Sequence, residues 1–105
     1  MIVGTAMTPK LIRVLVADDH AMVRTGLITM LKVFDELVFV GAASNGQMAI
    51  DMCNELVPDL VLMDMHMPEV DGVNATRIIR QQHPGTRVLA LTVYAEDSAV
   101  RQVLQ

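Results

Sequence analysis

The chain has 105 residues and a mass of 11.5 kDa, which suits one domain, because single hydrophobic cores usually hold about 100 to 200 residues. Hydrophobic residues make up 52% and charged residues 19% of the chain, a composition that favours a folded core and argues against intrinsic disorder. The net charge of −4 and the lack of any run of lysines or arginines argue against direct nucleic-acid binding by this segment.

The apolar stretches are too short for a membrane span. The longest uninterrupted one covers residues 37–43, whereas a transmembrane helix needs about 20 residues. Residues 1–10 lack the basic start and long apolar core of a secretory signal, and Cys53 is the only cysteine. We therefore predict a cytoplasmic protein in which residues 1–10 form a flexible extension.

The chain alternates between short apolar runs and amphipathic segments. Residues 11–17 are rich in branched apolar side chains, as in a strand that is buried on both faces of a parallel sheet. Residues 21–33 predict a helix, and residues 37–43 predict a second strand. A second helix follows a Ser-Asn-Gly turn and ends before Pro58. The predicted inner faces of these two helices carry Val23, Leu27, Met30 and Leu31, and then Ala49, Met52, Cys53 and Leu56.

The same alternation continues to the end of the chain. Residues 60–63 predict a third strand that ends at Asp64, and residues 88–91 predict a fourth that ends at Thr92. Between them lie a loop over residues 68–72 and a helix that stops at Pro84 and Gly85. The predicted inner face of this helix carries Ala75, Ile78 and Ile79, and a fourth helix begins before the chain ends. Repeated strand-helix units of this kind predict an α/β fold with a doubly wound parallel sheet.

Polar residues follow three of the predicted strands. Asp18 and Asp19 follow the first strand, Asp64 the third and Thr92 the fourth. Sites in open α/β sheets form at the carboxyl ends of the strands, so these side chains are expected to converge. Close carboxylates repel one another unless a cation neutralises them, which favours Mg²⁺ and phosphoryl chemistry. A carboxylate can itself attack phosphorus and become an acyl phosphate.

Three segments carry a family resemblance. They are ADDHAMVRTGL after the first strand, LVLMDMHMPEVDG over residues 60–72, and LTVYAEDSAVRQVLQ at the end of the chain. Together they resemble the receiver domain of two-component response regulators, of the NarL/FixJ (LuxR-type) subfamily, over residues 11–105. The resemblance implies a flavodoxin-like receiver fold with strand order 2-1-3-4-5.

The resemblance also implies the roles of the acidic residues. Asp64 would accept a phosphoryl group from a sensor histidine kinase. Asp18, Asp19 and Asp64 would hold Mg²⁺, with the backbone carbonyl of His66 as a further ligand. The phosphorylated domain would then control a transcriptional output.

Four further residues receive roles in the switch from the same resemblance. Thr92 would bind the phosphoryl oxygens, and Tyr94 would change rotamer as its loop moves. Pro68 and Gly72 would shape the loop beside the site, with Gly72 supplying permissive backbone geometry. Asp71 is expected to cap the third helix.

The chain departs from the family pattern after the fourth helix. Family members continue into a fifth strand that ends in a lysine, a fifth helix and, in this subfamily, a DNA-binding output domain. Lys10 and Lys32 are the only lysines and both precede Asp64. We therefore expect a C-terminally incomplete receiver whose fourth strand is an exposed edge. The sequence leaves open a fragment, the ordered part of a longer chain, and a homodimer or segment-swapped dimer that completes the core.

Three functions compete at this point. The first is a phosphoacceptor switch, which is not an enzyme because it has no separate turnover substrate. The second is a pseudo-receiver or truncated interaction module that is not phosphorylated. The third is a phosphatase of the haloacid dehalogenase type, which needs an aspartate where this chain has His66. His20, His66 and His83 lack the spacing of a zinc site, and Cys53 is predicted to be a buried apolar residue.

Overall fold

The computed structural model describes residues 10–67 and 69–91. The predictions for residues 1–9, Pro68, Thr92, Tyr94 and the fourth helix lie outside this part of the chain. Four strands and three helices alternate within it, as predicted: β1 (Ile12–Ala17), α1 (Ala21–Leu31), β2 (Leu37–Ala43), α2 (Gly46–Leu56), β3 (Leu60–Asp64), α3 (Gly72–Gln82) and β4 (Arg87–Leu91). None of these described helices is long and apolar enough to cross a membrane.

The four strands form one parallel sheet in the order β2-β1-β3-β4. The chain steps from β1 outward to β2, returns across β1 to β3, and then continues to β4. The order therefore reverses beside β1, which confirms the doubly wound fold and the first four positions of the order 2-1-3-4-5. Within the described residues, β4 is an edge strand, and its Leu89 is 54% exposed.

Successive side chains of a strand point to opposite faces of the sheet, and helices pack against both faces. On one face, Leu15 and Ala17 of β1 belong to a cluster with residues of α2 and α3. On the other face, Val14 and Val16 pack with Leu31 of α1. The predicted apolar run of the first strand is thus explained by helices on both sides of the sheet.

The inner face of α1 differs from the prediction at one residue. Met30 was predicted to face the core but is 57% exposed. Ile28, which was not predicted, packs against the core cluster together with the predicted Leu27 and the buried Leu31. In an ideal helix these three side chains spread over about 100°, and Met30 falls outside that arc because each residue turns the helix by about 100°.

Paired polar groups lie at the amino end of the sheet. The Asp59 carboxylate accepts a hydrogen bond of 2.8 Å from the backbone N–H of Arg13. The Arg13 guanidinium donates to the carbonyl oxygen of Leu56 at 2.7 Å, in the last turn of α2. The Thr86 hydroxyl, which is buried, donates to the carbonyl of Pro58 at 2.7 Å. These bonds tie the end of α2 and the starts of β3 and β4 to β1.

Candidate functional site

The two acidic positions that end β1 and β3 meet at the carboxyl edge of the sheet. In the parallel register of these strands, Ala17 pairs with Met63, so the next residues of the chain, Asp18 and Asp64, lie side by side. The backbone N–H of Asp18 donates to the carbonyl of Ala43 at 3.0 Å and extends the pairing of β1 with β2 to this position. The convergence predicted from the strand ends is confirmed.

The acidic residues differ in exposure. Asp18 and Asp64 are only 2% and 3% exposed, whereas the Asp19 side chain keeps 31% of its surface. Ligand atoms of Asp18, Asp19, Asp64 and His20 all lie within 4.8 Å of one another. The structure therefore brings the three predicted carboxylates together in one cluster.

The Asp64 carboxylate is only partly satisfied. Its Oδ1 accepts a hydrogen bond of 3.0 Å from the backbone N–H of His66. Its Oδ2 is buried and has no hydrogen-bond partner among the described residues. Leaving a buried charged oxygen without a partner is costly, so such an atom is suited to a ligand that brings positive charge or a donor. Oxygen donors around this atom fit a hard divalent cation, which is the type of ion predicted from the sequence.

Burial raises the pKa of Asp64 above its ordinary value, because the charged carboxylate loses hydration. The hydrogen bond from the His66 N–H lowers that pKa, and the negative charges of Asp18 and Asp19 raise it. A cation bound among these carboxylates would offset the repulsion between their negative charges.

His20 is a member of the site that the sequence argument missed. Its Nδ1 lies 2.9 Å from Asp18 Oδ1, 3.1 Å from Asp19 Oδ1 and 3.8 Å from Asp64 Oδ2. The hydrogen bond to Asp18 and the negative charge of Asp19 raise the pKa of His20 above its ordinary value. Its place directly after Asp19 was the available signal, but the direction of the imidazole ring depends on the turn that follows the strand.

Arg24 is a second neighbour that the sequence argument did not assign. Its Nη1 donates to the backbone carbonyl of Asp18 at 2.8 Å, and its backbone N–H donates to the carbonyl of His20 at 3.0 Å. Arg24 thus joins the first turn of α1 to the turn that carries the acids. The sequence carries no periodic signal for the side-chain contact, because Arg24 reaches a backbone carbonyl six residues earlier, before the helix begins.

The role of Gly72 is different from the predicted one. None of the described glycines has a positive φ, so Gly72 does not supply a backbone conformation that other residues avoid. A Cβ at this position would instead overlap the backbone carbonyl of Asp64 and crowd Met65. Gly72 is required because α3 begins directly against the backbone of β3. Asp71 caps that helix as predicted, since its Oδ1 accepts from the Asn74 N–H at 2.8 Å.

Comparison with known proteins decides the family. Residues 14–105 match the response regulator receiver domain. The chain belongs to this family. Its sequence is 46% identical over 95 residues to the response regulator GacA of Pseudomonas viridiflava, which covers 90% of this chain and 44% of GacA. It is 41% identical over 85 residues to the transcriptional regulatory protein YdfI of Bacillus subtilis (strain 168), which covers 81% of this chain and 39% of YdfI.

A solved receiver domain shares the fold. The signal receiver domain of the response regulator NarL from Mycobacterium tuberculosis matches with a TM-score of 0.74 and 34% identity, covering 78% of this chain and 66% of that one. The predicted NarL-type receiver assignment is confirmed, and membership of this family sets aside the haloacid dehalogenase alternative. This receiver chain spans less than half the length of the curated relatives named above.

The predicted site residues of the receiver domain have different outcomes. Asp18, Asp19 and Asp64 are brought together, while the metal-binding role of the His66 carbonyl stays a prediction. Thr92, Tyr94 and Pro68 lie outside the described residues, so their roles also stay predictions.

Proposed function

We propose that this chain is the phosphoacceptor domain of a two-component response regulator and that Asp64 is the residue phosphorylated. The observation that carries the proposal is Asp64 Oδ2, a buried carboxylate oxygen without a hydrogen-bond partner among the described residues, beside two further carboxylates. A purely structural aspartate at this depth would be expected to have both oxygens paired.

The carboxylates of Asp18, Asp19 and Asp64, with the backbone carbonyl of His66, are the proposed ligands for Mg²⁺. When bound, the ion supplies positive charge that offsets the repulsion between Asp64 and an incoming phosphoryl group. The strand pairing that reaches Ala17 and Met63 fixes the backbone from which the Asp18 and Asp64 side chains extend, so less of the site has to be ordered when a ligand binds.

The proposed reaction transfers a phosphoryl group from a histidine nitrogen of the kinase to a carboxylate oxygen of Asp64. A carboxylate oxygen of Asp64 attacks the phosphorus of a kinase phosphohistidine, so a P–O bond forms and the P–N bond breaks. The bonding electron pair returns to the imidazole nitrogen of the kinase, which takes up a proton from solvent. The domain becomes an acyl phosphate and releases no product of its own, so we class it as a switch and not as an enzyme.

The remaining roles concern the output. We assign Thr92 to binding the phosphoryl oxygens, Tyr94 to following the movement of its loop, and Pro68 and Gly72 to shaping the loop beside the site. We place the whole protein in the cytoplasm, where a sensor histidine kinase supplies the phosphoryl group and a DNA-binding output domain controls transcription. Phosphorylation changes the contacts of this domain with that output domain or with a second copy, as a homodimer.

The test is intact mass spectrometry after incubation with Mg²⁺ and a small acyl phosphate. We expect one phosphoryl group to be gained by the native chain and by Asp35→Asn, an exposed acid outside the site, and none by Asp64→Asn. We expect chelation of Mg²⁺ to prevent the gain.

Two outcomes would contradict the proposal. Equal labelling of the native chain and Asp64→Asn would place the phosphoryl group elsewhere. A folded, full-length protein that gains no phosphoryl group from either the small donor or its kinase would establish the pseudo-receiver alternative. The same assay on the 105-residue chain tests whether transfer proceeds without the lysine that the family carries after the fourth helix.

A further inference from the structure

The imidazole of His20 occupies a central position among the acidic side chains. A single atom, Nδ1, is 2.9 Å from an Asp18 oxygen and 3.1 Å from an Asp19 oxygen. It also approaches the unpartnered Oδ2 of Asp64 to 3.8 Å. One ring nitrogen thus faces all three carboxylates that form the proposed cation site.

The backbone of His20 is held firmly at this position. Its N–H donates to Asp18 Oδ1 at 2.7 Å, and its carbonyl accepts from the Arg24 N–H at 3.0 Å. Arg24 also donates from its side chain to the Asp18 carbonyl at 2.8 Å. These bonds fix the backbone position from which the imidazole extends toward the carboxylates.

The side chain of His20 lies partly in solvent and is not a bonded part of α1. It is 48% exposed, and it makes no capping hydrogen bond to α1 although His20 is the N-cap residue. Rotation of the ring into solvent would break its contacts with Asp18 and Asp19 but no bond of the helix. The imidazole can therefore leave the carboxylates without unfolding this end of α1.

An incoming cation needs the oxygens that His20 contacts. Mg²⁺ binds oxygen ligands at about 2.0 to 2.1 Å and accepts imidazole poorly, so the ring cannot stay among the carboxylates as a ligand. The free energy needed to displace the Nδ1–H donor is subtracted from the free energy of cation binding. A neutral imidazole with its hydrogen on Nδ1 is sufficient for this competition.

We infer that the His20 imidazole competes with the divalent cation for the carboxylates of Asp18, Asp19 and Asp64. It thereby sets the Mg²⁺ concentration at which the domain becomes ready for phosphorylation. The inference rests on the proposed function, because it concerns the same carboxylates. Either the Nδ1–H of His20 or the cation lies among Asp18, Asp19 and Asp64, and binding of one displaces the other.

The test is isothermal titration calorimetry of Mg²⁺ into the full chain at one fixed pH. We expect His20→Ala to lower the Mg²⁺ dissociation constant by about threefold to tenfold, since hydrogen bonds to charged groups are the stronger kind and this one is partly exposed. His20→Asn places an amide donor at the same distance along the side chain as Nδ1, and is expected to restore most of the native dissociation constant.

The matched control is His83→Ala. His83 is a second histidine, and it contacts Asn54 at 2.8 Å outside the acidic cluster. We expect this variant to bind Mg²⁺ like the native chain. Thermal unfolding in EDTA checks that each variant is folded.

Three results would overturn the inference. A weaker affinity in His20→Ala would show that His20 supports the cation, and an unchanged affinity would show that the ring does not compete. Equal tightening in His20→Ala and His20→Asn would show that the donor is not the cause. None of these results affects the proposed function, whose failure is recognised separately by phosphoryl gain in Asp64→Asn.

Discussion

The two ends of the parallel sheet treat their polar groups in opposite ways. At the amino end, the Asp59 carboxylate, the Arg13 guanidinium and the Thr86 hydroxyl each have a hydrogen-bond partner. At the carboxyl end, Asp64 Oδ2 is buried without one among the described residues, and two further carboxylates lie nearby. The first arrangement stabilises the fold, whereas the second costs stability and leaves acceptor atoms available for a ligand.

The polar groups at one end of the sheet stabilise the fold, and those at the other end are available to bind a ligand. At the amino end, the hydrogen bonds of Asp59, Arg13 and Thr86 form a clamp that joins β1, α2, β3 and β4. Buried carboxylates that are incompletely paired must be held by the rest of the fold, and at the carboxyl end the strands and the turn fixed by Arg24 provide that support.

The close approach of α3 to β3 gives the largest predicted effect. We expect Gly72→Ala to lower the free energy of unfolding by about 3 kcal/mol or more, because the added Cβ meets the Asp64 backbone, which cannot give way as a flexible side chain can. Urea denaturation measures the effect.

A matched glycine provides the control for that experiment. Gly26 lies inside α1 with nothing within 4 Å of an added Cβ. We expect Gly26→Ala to raise the free energy of unfolding by about 0.5 to 1 kcal/mol, since alanine has the higher helix propensity. Similar effects of the two substitutions would contradict the account of Gly72.

The amino-end clamp is broken by Asp59→Ala. This change leaves the Arg13 N–H without its 2.8 Å acceptor, and we expect it to lower the free energy of unfolding by about 1 to 3 kcal/mol. Phosphoryl gain should be retained under conditions where the variant is folded. Asp35→Ala, at an exposed position, should change the free energy of unfolding by less than about 0.5 kcal/mol, and an equal loss in both variants would argue against the clamp.

A substitution at the carboxyl end of the sheet is expected to raise the free energy of unfolding, whereas Gly72→Ala and Asp59→Ala lower it. In EDTA, we expect Asp64→Asn to raise the free energy of unfolding by about 1 kcal/mol, because it removes a buried charge that lies near two others. The amide oxygen of the new side chain can still accept from the His66 N–H. Urea denaturation beside Asp35→Asn measures the difference, and a marked destabilisation would show that the charge of Asp64 supports the fold.

The smallest predicted effect concerns the buried thiol of Cys53 in α2, whose contribution to the free energy of unfolding depends on pH. Burial raises the pKa of the Cys53 thiol from 9.0 to about 11. The folded state thus holds this proton more tightly than the unfolded state, so the thiol's contribution to stability is complete below about pH 9 and is lost as the pH rises toward 11.

A thiol reagent at pH 8 provides the measurement for Cys53. We expect no labelling of the folded chain and one label per chain in urea, because Cys53 is the only cysteine. Rapid labelling without urea would contradict the burial of this side chain.

The sequence by itself determined the order of the elements and the place of the acids. Apolar runs, helical spacing and strand-end aspartates are local patterns, and parallel strands necessarily bring their carboxyl ends to one edge. For that reason the sequence alone predicts that Asp18 and Asp64 lie together.

Only the tertiary structure decided which atoms meet. The exposure of Met30, the overlap that requires glycine at position 72, the Arg13 bond to the end of α2 and the His20 ring among the carboxylates all differ from, or go beyond, the sequence pattern. The Arg13 bond to Leu56 and the approach of His20 to Asp64 join segments that are distant in the chain. The direction of the His20 ring depends on how α1 packs after the turn, and the packing between segments, unlike a periodic pattern, is a property of the folded chain as a whole.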